Sequence, residues 1–226
     1  MMRPAVRNLW HIGLLAVALV TSAGSPAGAQ TAPARDDIIA RLDRFETPAD
    51  IDVPALRQQV LERSKSRSKN EPPPQKRSPI APELTKLPTF NADIQFDVDT
   101  PIVLPASYET LGRIADALTH SSLLPYTFLI VGHVESTGRR ENNALLSQRR
   151  ADAIRDILIN TFKISAKRLQ SVGLGEEQLL DPARPNAPAN NQVQIMTVGK
   201  LPEQSEPPAK PAASAAPSKK PAKKKK

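Results

Sequence analysis

The sequence predicts an α/β fold, a β-α-β-α-β-β sandwich of helices on a mixed sheet, flanked by basic and proline-rich segments. Three observations predict it. Between Thr89 and Lys200 the hydrophobic period switches from two residues to about 3.6 and back. Most of the 23 prolines lie before Phe90 or after Leu180, so a sizeable core can form only between them. The net charge of +8 is also unevenly placed: residues 89–200 carry 11 Lys+Arg against 12 Asp+Glu. The excess sits in Arg63–Arg77, with six bases and one acid, and in Lys210–Lys226, with seven lysines and no acid.

In the first strand, Ala92, Ile94, Phe96 and Val98 alternate with Asp93, Gln95 and Asp97, a half-buried pattern. Leu111, Ile114, Ala115 and Leu118 mark one face of a helix after Pro105. Tyr126–Val131 is almost continuously apolar, as a central strand buried on both sides requires, and stops at Gly132. A longer helix follows from about Leu145 to Phe162, with Ala151, Ile154, Ile157 and Leu158 inward and Arg149, Asp152, Arg155 and Asp156 outward. Ser171–Leu174 and Val193–Val198 complete the sheet across a loop rich in Pro and Asn.

Outside residues 89–200 the chain divides into four segments. Residues 1–29 have a charged start at Arg3 and Arg7, an apolar run from Leu9 to Val20 and the small-residue site Ala27-Gly28-Ala29, the three regions of a secretory signal peptide. The apolar run is about 12 residues where a membrane span needs ~20. Residues 30–63 hold two short amphipathic helices, one through Ile38, Ile39, Leu42 and Phe45, the other opening at Asp52-Val53-Pro54 and running through Leu56, Val60 and Leu61. Either they pack on each other or on the main domain, or they form a spacer with transient helicity. Residues 64–88 read as a basic, proline-rich extended linker, and residues 201–226 as a disordered Lys/Pro/Ala tail.

Composition also removes function classes. The sequence has no cysteine, which excludes disulfides, thiolate metal sites, a thiol nucleophile and a bacterial N-terminal lipid acceptor. Its three histidines are too few for a His-rich metal cage, and no G-x-S-x-G, H-E-x-x-H or glycine-rich phosphate loop occurs. No cofactor, metal or catalytic residue is expected. Export and the lack of interleaved aromatics argue against nucleic acid. Thr31–Pro88 is too short for eight membrane strands of ~9 to 11 residues.

Two motifs carry a family resemblance. Gly132-His133-Val134-Glu135-Ser136-Thr137-Gly138 resembles the G-H-T-D-x-x-G loop of the OmpA-like C-terminal domain family, and Asn143-Ala144-Leu145-Leu146-Ser147-Gln148-Arg149-Arg150-Ala151 resembles its N-x-x-L-S-x-x-R-A helix. Phe96, Leu111 and the G-x-G-E-like turn Gly173-Leu174-Gly175-Glu176 extend the match to about half the chain. The resemblance implies the same β-α-β-α-β-β fold and non-covalent binding of the diaminopimelate stem peptide of peptidoglycan. It places the gripping carboxylate at Glu135 and the guanidinium at Arg150, with Gly132, His133, Asn143 and Ser147 in support. A ligand with an ammonium and a carboxylate can pair with such groups through charge-assisted hydrogen bonds. Asn143 is in addition a candidate N-cap of the helix that carries Arg150.

Three positions depart from the family pattern. Glu135 replaces an aspartate, Val134 a hydroxyl residue, and Asn190-Asn191-Gln192-Val193 stands where N-R-R-V is usual. The sequence therefore predicts a non-catalytic protein of the periplasm, tied to the cell wall or outer membrane, that tethers the envelope to peptidoglycan. The alternative is a protein–protein scaffold with a degraded pocket, acting through its helices and basic tail. The lysine tail would meet an anionic envelope polymer or membrane surface, and residues 36–62 an envelope protein.

Overall fold

A computed structural model describes residues 33–49, 51–66 and 72–201. The chain divides into two units, Met1–Thr31 and Ala32–Lys226, and every described residue lies in the second. The expected signal peptide and lysine tail fall outside the described residues.

The sheet has four strands, β1 (Thr89–Ala92), β2 (Tyr126–His133), β3 (Leu169–Gly175) and β4 (Val193–Lys200), in the order β1-β4-β2-β3. β4 runs antiparallel to β1 and β2, whereas β3 runs parallel to β2, so the sheet is mixed as predicted. Around it lie α1 (Arg35–Leu42), α2 (Val53–Lys65), α3 (Tyr108–Leu118) and α4 (Arg140–Asn160). The central strand β2 is buried on both faces. Phe128 and Ile130 join the core under α1, α3 and α4, and Leu129 and Val131 join a second core under α2.

The first strand is earlier and shorter than the alternation suggested. β1 pairs with β4 only as far as Ala92 opposite Val193, where β4 begins, so the chain has no partner beyond that point. It turns into a narrow hairpin in which Phe96 pairs with Val103, and Val98 at its tip is 83% exposed. α4 starts at Arg140, about one turn earlier than its apolar stripe indicated.

Both N-terminal helices are part of the fold. In α1, Ile38 and Leu42 are buried against α3 and β1, and Thr197 on β4 donates to the Leu42 carbonyl at 2.7 Å. In α2, Asp52 is the N-cap, accepting from the Ala55 amide at 2.9 Å, while Val53, Leu56 and Val60 are buried on the other sheet face. The apolar faces of residues 36–62 are thus occupied by the chain itself, which corrects the expectation that they engage an envelope protein. Residues 72–88 are not a spacer either: 3-10 turns at Pro74–Lys76 and Pro82–Lys86 fold them back, with Ala81 and Leu84 fully buried. Proline favours such turns as much as extension, and two apolar anchors suffice to dock them.

β3 is an edge strand, and side chains engage several of its free backbone groups. Arg155 and Arg57 donate to the carbonyls of Leu169 and Ser171, and Gln148 and Ser147 accept from the amides of Gly173 and Gly175. α4 lies so close to this strand that a Cβ on Gly173 would come 2.0 Å from the Gln148 nitrogen. Among the described residues, no helix is long and apolar enough to cross a membrane.

Candidate functional site

Beyond His133 the chain leaves β2, and successive amides are caught by different partners. Val134 donates to Gly175, Glu135 to the Asn191 side chain at 3.2 Å, and Ser136 to Pro185. Glu135 is thereby placed at the C-terminal end of the central strand, beside the first half of α4. Gly138, at φ +78°, makes the turn into that helix. Arg150 borders the buried stripe of α4, three residues on from Ser147, and points to the same side.

A cleft of about 460 Å³ brings the two together. Asp93, Phe96, Asp99, Glu135, Asn143, Arg150 and Asn191 are among its lining. Arg150 is held on one side only: its Nε donates to the Thr100 carbonyl at 3.0 Å, and its guanidinium lies 4.8 Å from the centre of the Phe96 ring. Its outer nitrogens make no hydrogen bond to the described residues. Burial lowers the Arg150 pKa, and the nearby charges of Asp99 and Glu135 act against that shift, so the guanidinium stays charged. The Glu135 carboxylate has no ion-pair or hydrogen-bond partner among the described residues, including Arg150. The cleft thus presents a carboxylate and a cation that are near enough to interact and do not satisfy each other.

The four supporting residues shape the site without entering it as binding groups, Asn143 excepted. Gly132 lets α4 approach, since a Cβ there would meet the Ser147 carbonyl at 2.4 Å. Ser147 is fully buried and joins the Gly175 amide to the Ala144 carbonyl. His133 is buried, with Nδ1 at 2.9 Å from the Gln178 carbonyl and Nε2 at 2.9 Å from the Gln194 side-chain amide. The Gln194 atom is its side-chain oxygen, so both partners only accept and the neutral ring donates to one of them at a time; burial holds the ring pKa below its ordinary value, against the pull of these two bonds. Asn143 is not the N-cap, a position filled by Arg139 without a side-chain bond. The helix starts earlier, which puts Asn143 inside the first turn, where it accepts from Thr137 Oγ1 at 2.9 Å and donates to the Glu135 carbonyl and to Glu176. It also lines the cleft.

Comparison with known proteins agrees with this architecture. Residues 95–193 match the model of the OmpA family. Over this segment the chain is similar to the OmpA family. The chain is 32% identical over 111 residues to outer membrane porin F of Pseudomonas aeruginosa, covering 49% of this chain and 30% of that protein. It is 33% identical over 85 residues to a peptidoglycan-associated lipoprotein of Mesorhizobium japonicum, covering 38% and 49%. Outer membrane protein A of Bordetella avium is 30% identical over 132 residues, covering 56% and 63%. The chain therefore spans less than two thirds of each relative. Among solved structures, an outer membrane protein from Borrelia burgdorferi matches 49% of this chain and 87% of its own, with 26% identity and a TM-score of 0.39.

Over the matched segment, the departures from the family pattern have visible consequences. Asn191 lines the cleft where an arginine is usual, so Arg150 is the cation of the lining, while Arg139 pairs with Asp99 at 3.1 Å. Val134 is buried and gives the wall hydrocarbon instead of a hydroxyl.

A second charged constellation, which the motifs did not single out, lies beside the first. Glu176 and Glu177 follow β3 with side chains only 3% and 1% exposed. Arg77 pairs with Glu176 at 2.9 Å, Arg63 with Glu177 at 3.1 Å, and Arg140 grips Glu177 with two nitrogens. Arg63 and Arg77 belong to the segment read as a free basic flank. Their partners are about 100 residues away in sequence, beyond the reach of composition or local spacing.

Proposed function

We propose that this is an exported, non-catalytic envelope protein that binds peptidoglycan through its OmpA-like domain, with diaminopimelate of the stem peptide held between Glu135 and Arg150. The carrying observation is that these two residues share one cleft, each with binding capacity left over. The free edge of the Arg150 guanidinium suits a carboxylate, and Glu135, with Asp99 and Asp93 nearby, suits an ammonium. Similarity to an outer membrane porin and a peptidoglycan-associated lipoprotein supports an envelope location. No bond is made or broken in such a role. The domain acts by holding the wall.

The alternative of a scaffold with a degraded pocket is weakened at its helices, because α1 and α2 bury their apolar faces in this chain. The test is co-sedimentation of the mature protein with diaminopimelate-type sacculi, comparing wild type, Arg150→Ala and a chain ending at Lys200, at low and moderate salt. Retention that survives truncation and salt and fails in Arg150→Ala supports the reading. Retention lost with the tail or with salt, while Arg150→Ala behaves as wild type, removes it.

A further inference from the structure

We infer that Arg77, far from the cleft in sequence and outside the segment matched to the OmpA family, is a positioning residue for the ligand loop and acts through Glu176 and Asn143. The inference rests on the reading of the cleft given above. One carboxylate joins the two ends of the relay: Glu176 Oε1 is 2.9 Å from Arg77, and Oε2 is 2.8 Å from Asn143 Nδ2. The same Nδ2 lies 3.3 Å from the Glu135 carbonyl, and Asn143 Oδ1 accepts from Thr137 at 2.9 Å. Asn143 therefore holds both sides of the turn that presents Glu135, and Glu176 holds Asn143.

The order of that loop depends on the charge state and position of Glu176. A carboxylate this deeply buried is stable as an anion only while its cation and donors are in place. Without Arg77 it loses the partner that fixes its orientation and turns toward water, which weakens its bond to Asn143. The other ion pair of the folded-back segment, Arg63 with Glu177, makes no hydrogen bond to the 135–137 turn among the described residues. The two arginines thus separate the relay from simple docking of residues 53–88. Both touch buried glutamates, and Arg77 alone is linked to Asn143.

The experiment measures the dissociation constant for a soluble muramyl tripeptide ending in diaminopimelate, using the mature chain and its Arg77→Ala, Arg77→Lys and Arg63→Ala variants. Each is checked for full folding, and hydrogen exchange is followed at residues 134–139. Arg77→Ala is expected to weaken binding roughly five- to ten-fold and to speed exchange in the loop, with Arg77→Lys recovering most of both. Arg63→Ala should stay within about two-fold of wild type. Equal effects of Arg63→Ala and Arg77→Ala, or unchanged binding and exchange in Arg77→Ala, overturn the relay. If wild type fails to bind the peptide, the ligand reading falls, and loop exchange alone decides the relay: faster in Arg77→Ala sustains it, unchanged overturns it.

Discussion

Two sets of arginines and glutamates, one built around Arg140 and the other around Arg150 of α4, behave differently. Glu176 and Glu177 are almost fully enclosed, and each of their oxygens meets a donor. Glu135 and Arg150 are only half-buried, and each keeps an unused edge facing the cleft. The same chemical groups thus form a closed lock in one place and an open, unpaired set in the other. What separates them is whether the protein itself completes the pairing. A buried charge left incomplete would be too costly, whereas a partly solvated one can wait for a ligand.

Substitutions should fall on opposite sides of that division. The largest loss of stability is expected at neither charge set but at the seam that positions both. Gly173→Ala drives a Cβ into the Gln148 backbone, which cannot yield as a side chain would. It should lower unfolding free energy by at least about 3 kcal/mol in urea titration. Glu177→Ala comes next, because it strands Arg140 and Arg63; about 3 kcal/mol is expected, at the low end for broken buried pairs since Arg63 is 29% exposed and can turn to water. A loss below about 1 kcal/mol would mean the lock contributes no more than a surface pair.

The open set should show the reverse. Glu135→Gln is expected to change stability by less than about 0.5 kcal/mol, because the carboxylate has no partner to lose. It should weaken binding of the diaminopimelate peptide about ten-fold, measured by calorimetry, through loss of one charge-assisted contact. Equal binding in Glu135→Gln would assign the ammonium to Asp99 or Asp93 instead.

Much of this division was legible in the sequence, and the failures have physical causes. The motif resemblance singled out Glu135 and Arg150, and the fold brings them to one cleft. The alternation from Ala92 to Val98 was real as an in–out pattern, but a strand lasts only as long as its partner, and β4 begins at Val193. Asn143 looked like a cap because Asn is a good one; no capping side chain marks the actual start at Arg139. Residues 72–88 read as a spacer from their prolines, though Ala81 and Leu84, three residues apart, were the signal of a docked turn. Arg63 and Arg77 offered no such local clue, because the buried carboxylates that claim them come from the far end of the domain.

His133 gives the smallest effect and the sharpest check that the wall of the cleft is enclosed. Its folded pKa lies below the unfolded value of about 6.5. As pH falls through that value the unfolded chain takes up a proton that the folded chain refuses, so stability must fall with it. Between pH 7.5 and 5.5 this residue should cost at most about 1.4 kcal/mol, the limit set by protonation of the unfolded imidazole alone. The measurement is the urea midpoint of wild type and His133→Gln at both pH values. The variant will be less stable at pH 7.5, having lost the bonds to Gln178 or Gln194, but its dependence on pH should be flatter by up to that amount. If the two slopes are equal, the imidazole reaches solvent or gains its proton in place, and the wall between β2 and β4 is more open than its burial indicates.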